Sequence, residues 1–137
     1  MFFKENNNEN ENENLTKVAA LLIHAAKIDE NFSLEEEEII KKTLMEIGAD
    51  QQNIHNIIIN AKKIEENSNQ ILEFTKQVKN MENKNKIRVV ESLWKIIYSN
   101  NEADIYETNL MRRLTGLLYI DSKVMGDIKE KIKNENS

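Results

Sequence analysis

Cysteine is absent from this 137-residue chain, which excludes a disulfide framework, a thiolate metal site and a cysteine nucleophile. Proline is absent as well, and glycine occurs three times. Asn, Asp, Ser and those few glycines are therefore left to end helices, and so small a supply of breakers favours an all-α fold. The longest apolar run covers residues 18–23 and stops at His24, far short of the ~20 residues a membrane span needs. The opening Met1-Phe2-Phe3-Lys4 lacks the ~7–15 apolar residues of a secretory signal, so a cytoplasmic location is expected. Positive charge is in deficit, with a net charge of −5. That balance opposes general attraction to phosphate backbones or anionic membranes, and nucleic acid is not an expected partner.

What is present suits one folded domain. Hydrophobic residues make up 39% and charged residues 31%, ordinary globular usage in a chain long enough to bury a core. Residues 1–14 stand apart, because the Asn/Glu alternation from Glu5 to Asn14 offers nothing to bury and predicts a disordered arm. The domain is expected over 15–134. Within it, residues 15–28 are apolar so densely (Leu15, Val18, Ala19, Leu22, Ala25, Ala26) that the helix they form should be buried on more than one side. Ser33-x-x-Glu36 reads as a capping box opening a second helix, on which Leu34, Ile39, Ile40, Leu44 and Ile47 recur at helical spacing before Gly48.

A third helix is predicted over 51–66, with Asp50 as its cap and Ile54, Ile57, Ile58, Ala61 and Ile64 as its stripe. A short fourth covers 69–78. Residues 80–86 read as a polar connector and hinge, followed by a strongly amphipathic helix over 86–99 carrying Val90, Leu93, Trp94 and Ile97. Asp104-x-x-Glu107 opens the next helix, and Asp121 begins the last, with Val124, Ile128 and Ile132 as its stripe. About seven helices should form a compact bundle.

The chain also resembles itself. Laying residues 17–47 over 88–118 places Val18 on Val89, Leu22 on Leu93, and Ile39-Ile40 on Leu110-Met111. The intervening turns agree in kind, since Asp29-x-Asn31-x-Ser33-x-x-Glu36 falls on Asn100-x-Glu102-x-Asp104-x-x-Glu107. Oxygen-bearing side chains thus recur at the same four places in two pseudo-repeated helical halves.

This pattern resembles the TerB-like family, whose two halves each carry an acidic Ala-Asp-Gly…Glu turn between an apolar helix and a charged one. The residues that carry the resemblance are Ala26-Lys27-Ile28-Asp29 with Glu36, and Leu93-Trp94-Lys95-Ile96-Ile97-Tyr98 with Tyr106-Glu107. The chain departs from the family at Glu30 and Asn101, where glycine is usual, and at Asn100, where aspartate is usual. Loss of that charge lowers the expected cation affinity of the second half. The resemblance implies a non-enzymatic helical module associated with stress responses and tellurite resistance, of the kind also found at the start of a membrane-anchored DnaJ-type co-chaperone. It further implies a protein partner and an acidic site for a divalent cation, Ca²⁺ or Mg²⁺.

Read from the residues, Asp29, Asn31, Glu36, Glu102, Asp104 and Glu107 are the candidate metal ligands, because hard cations want clustered oxygen donors. Helix capping explains the same residues without a ligand. The spacing is not that of an EF-hand, which needs glycine at the sixth loop position and Glu at the twelfth. The glutamates at 35–38 suit a solvated first turn facing the helix dipole. His24 is expected half-buried on its helix and His55 exposed. Trp94, Tyr98, Tyr106 and Tyr119 are expected as core or edge packing. No glycine-rich phosphate loop, HExxH, nucleophile elbow or Ser-His-Asp set occurs. Two alternatives stay open at this level: a metal-dependent enzyme using the same carboxylates, and a purely structural or oligomerisation domain, including a homodimer.

Overall fold

Helix α1 (Phe2–Ala26) is the pillar on which the rest is assembled. In the computed structural model, residues 2–29, 32–67, 71–99 and 105–135 are described, with the side chains of 2–10, 29 and 105 left out of the description. The helical backbone begins well before Leu15 and passes through the Asn/Glu stretch that composition set apart as an arm. Local chemistry accounts for this. Neither proline nor glycine interrupts the stretch, and extending an existing helix costs far less than nucleating one. The Thr16 hydroxyl donates back to the Asn12 carbonyl at 2.6 Å.

From Val18 to Ile23, and again at Ala25 and Ala26, α1 is almost wholly removed from solvent, as its dense apolar run predicts. Four partners cover it: α2 (Leu34–Glu46), α3 (Ile54–Asn67), α4 (Leu72–Lys79) and α5 (Asn83–Tyr98). The alanines on its surface let the α3 backbone approach, while Leu21, Leu22 and Ile23 each contribute roughly 1.5–3 kcal/mol by burial. A single 3-10 turn, Lys27–Asp29, ends the helix.

The entry to α2 is the predicted capping box. The Glu36 amide donates to Ser33 Oγ at 3.1 Å, and the Ser33 amide donates to Glu36 Oε1 at 2.9 Å. Its exit is a Schellman turn, in which the Gly48 amide reaches the Met45 carbonyl at 3.4 Å and the Ala49 amide reaches Leu44 at 2.8 Å. Gly48 has φ of +123°, a conformation that glycine supplies without side-chain strain.

Helix α5 starts at Asn83, within the segment that polarity marked as a hinge. Its first turn is solvated on one side and so carries no apolar signal. Beyond it, Val89, Val90, Leu93, Trp94, Ile96, Ile97 and Tyr98 are buried, making α5 a second central helix packed on α1 and α2. Helix α6 (Ile105–Leu117) packs on α4, and α7 (Ser122–Glu135) lies chiefly on α5. Lys86 Nζ donates to the Leu118 carbonyl at 3.0 Å, fastening the start of α5 to the end of α6. The Asp121 side chain caps α7 by accepting from the Lys123 amide at 2.7 Å.

The described residues contain seven α-helices and no strand, so the fold is an all-α bundle. None of these helices is long and apolar enough to cross a membrane.

Candidate functional site

The acidic turns divide between residues that are described and residues that are not. Asn31, Glu102 and Asp104 lie outside the described residues, and Asp29 is described in backbone only, as the last residue of the 3-10 turn. Glu36 and Glu107 are in place. Each is the third residue of its helix, α2 and α6, and each is buried, with 1% and 3% of its surface exposed.

Burial of a carboxylate is costly unless polar groups take over from water. For Glu36 the Ser33 amide and the helix dipole help to do so. The neighbouring glutamates diverge from it: Glu37 bonds Lys62 on α3 at 3.1 Å, Glu38 sits 3.7 Å from Lys41, and Glu35 faces solvent. The acidic run is therefore one inward carboxylate, one bridge between helices and two surface groups. Among the described residues no three His, Asp or Glu side chains converge as a metal-holding group.

Close to the first turn is a charge cluster that the sequence reading missed. Glu65 on α3 is buried, and its carboxylate takes Lys27 Nζ at 3.1 Å and faces His24 Nδ1 at 3.9 Å. The second distance is too long for a hydrogen bond. A signal for Glu65 existed, because the stripe of Ile54, Ile58 and Ala61 continues onto it at 3- and 4-residue steps. Beside the cluster, Ile23, Lys27, Phe32, Lys62 and Glu66 line a cavity of about 400 Å³, with the Lys62 ammonium 5.4 Å from the centre of the Phe32 ring. Apolar walls with lysines at the mouth suit the apolar body and charged end of a partner's side chain.

His24 is half-buried and His55 exposed, as their surroundings in sequence predict. Desolvation is the main cause holding the His24 imidazole below its ordinary pKa. The Glu65 carboxylate opposes this, and the positive charges of Arg113 and Lys27 add to it. The native state thus disfavours the protonated imidazole more than the unfolded chain does. The stability that follows is fully present above the unfolded value of about 6.5 and is lost as pH falls below it toward the lowered native value. His24→Gln is expected to lose less stability than the parent between about pH 7 and pH 5. Urea midpoints at the two pH values measure this, and equal losses would remove His24 as the cause.

Two similarities in kind link the halves at aligned positions. Glu36 and Glu107 are both buried third residues, and Gly48 and Tyr119 both close a helix with left-handed backbone. At Tyr119 φ is +55°, and the Ile120 amide reaches Thr115 at 3.1 Å. No curated protein and no solved structure matches the chain, whereas the family model described as tellurite resistance protein TerB matches residues 15–130. That match takes in both acidic turns, α1 from Leu15 onward, the whole of α5 and most of α7, and by it the chain belongs to the TerB family.

Proposed function

We propose that this chain is a non-enzymatic TerB module that acts in a stress response by binding a protein partner, and that its acidic turns hold a hard divalent cation, Ca²⁺ or Mg²⁺. The observation that carries the reading is the pair of inward carboxylates, Glu36 and Glu107, each buried at the third position of its helix. A carboxylate that caps a helix can keep one oxygen on backbone amides and turn the other to a ligand.

The donor set fits such an ion in kind. Asp29, Glu36, Glu102, Asp104 and Glu107 supply carboxylates and Asn31 an amide carbonyl, all oxygen donors with no thiolate, which is the preference of Ca²⁺ and Mg²⁺ over softer metals. When bound, the cation would join the two turns electrostatically. The chain's own part is to hold Glu36 by the Ser33 amide, so that its orientation is set before any ion arrives.

Calorimetric titration of Ca²⁺, Mg²⁺, Mn²⁺ and Zn²⁺ into chelator-stripped protein tests the cation, with Glu36→Gln/Glu107→Gln as the comparison. Gln retains a capping oxygen, so the fold should survive while the charge is removed. The expected result is saturable Ca²⁺ or Mg²⁺ binding that the double variant lacks. The absence of both heat and thermal shift would leave the turns as helix caps and overturn the cation site.

A further inference from the structure

Between them α2 and α5 leave a cleft of about 130 Å³. Its lining includes two hydroxyls and three cations. Thr43 and Ser92 are both buried; the Thr43 hydroxyl gives its one hydrogen to the Ile39 carbonyl at 2.9 Å, and its oxygen accepts from the Ser92 hydroxyl at 2.8 Å. Lys42, Arg88 and Lys95 stand around the opening.

Arg88 is fixed in place, because its Nη1 donates to the Glu46 carbonyl at 2.9 Å, at the last residue of α2. The planar guanidinium has five N–H donors, so this single bond leaves others to use. Two carboxylates share the cleft, and each already faces a cation: Glu46 lies 4.0 Å from Arg88 Nε, and Glu91 lies 3.4 Å from Lys131 Nζ on α7. Lys42 and Lys95 form no ion pair among the described residues. Three cations therefore meet two carboxylates in the lining, a local charge of +1 on a chain whose net charge is −5. Positive charge concentrated in a cleft with low-dielectric walls attracts anions irrespective of the overall charge.

We propose that this cleft binds a dianionic oxyanion of phosphate size, either inorganic phosphate or the terminal phosphoryl group of a small metabolite. The volume is that of about four waters, which accommodates a tetrahedral ion and little more. Charge-assisted bonds from Arg88 and the two lysines supply the attraction, and the planar guanidinium supplies direction. Carboxylates at the opening disfavour large polyanions such as nucleic acid, which would have to pass Glu46 and Glu91.

The test is titration of inorganic phosphate into the full-length ¹⁵N-labelled chain at low ionic strength, following backbone amide shifts, with free phosphoserine as a second ligand. The comparison variant is Lys42→Gln/Lys95→Gln, whose side chains are outside the core, with circular dichroism to verify its fold. Saturating shifts confined to α2 and α5, weakened about tenfold or more in the variant, are expected. Equal binding of both ligands assigns the cleft to a phosphoryl group, and binding of phosphate alone assigns it to the free ion. Linear or scattered shifts in the parent, or a smaller weakening in the folded variant, would overturn the proposal.

Discussion

Replacing Trp94 by alanine is expected to destabilise the protein by about 3–5 kcal/mol, the range for emptying a buried aromatic site, and to loosen α7 more than any other helix. Trp94 is 3% exposed on α5. Its ring stacks on Tyr98 with centroids 5.9 Å apart, and its indole N–H donates to Met125 Sδ on α7 at 3.4 Å. Lys129, also on α7, places its ammonium 5.6 Å from the ring centre. Helix α7 buries only Met125, Ile128 and Ile132 and rests chiefly on α5, so one side chain supplies a large part of its seat. Trp94 is the sole tryptophan, and unfolding must therefore be followed by far-ultraviolet circular dichroism. Amide exchange in α7 should accelerate in Trp94→Ala and less so in Trp94→Phe, which refills part of the space. A loss below about 1 kcal/mol, with α7 exchange unchanged, would show that the helix is held by something else.

The bundle was largely legible in the sequence because its helices are marked twice, by apolar period and by end signals. Ser33 with Glu36 and Gly48 mark both ends of α2, and the density of apolar residues on α1 foretold its burial on several sides. Elsewhere period misled. Leu34 keeps helical spacing with Ile40 and Leu44, yet it is 82% exposed as the first residue of α2. A helix's first turn extends past the body it packs on, and period cannot see where that body ends. Tyr106 and Tyr119 stand in solvent for the same kind of reason, at a helix start and a helix end. In α7 the inward position is Met125, with Val124 half turned away.

The site was legible in its types and only partly in its places. Capping explained Glu36 and Glu107 as helix starts, and nothing in a local pattern announces that both are buried, because burial there depends on helices distant in sequence. The Glu65 cluster depends on α3 meeting the end of α1. The Thr43–Ser92 pair joins residues from α2 and α5 and carries no local signature, since each hydroxyl alone reads as a solvated or back-bonded helix residue.

That pair gives the second large effect, and its sign pattern is more informative than its size. Thr43→Val keeps the shape of the side chain but leaves the Ser92 hydroxyl, 1% exposed, without the acceptor it has in the parent. A buried polar group deprived of its partner costs about 1–3 kcal/mol. Ser92→Ala should cost less. Thr43 can still donate to the Ile39 carbonyl at 2.9 Å, and alanine is the better helix former by a few tenths of a kcal/mol. Thr43→Val/Ser92→Ala removes both polar groups together and should recover most of the loss of Thr43→Val, because apolar replacement of both partners is close to neutral. The single changes are then strongly non-additive, as expected for side chains in contact. Urea denaturation of the four proteins measures the cycle. If the double variant is as unstable as the sum of the singles, the two hydroxyls do not depend on one another, and the link between α2 and α5 rests on apolar packing and the Arg88–Glu46 contact.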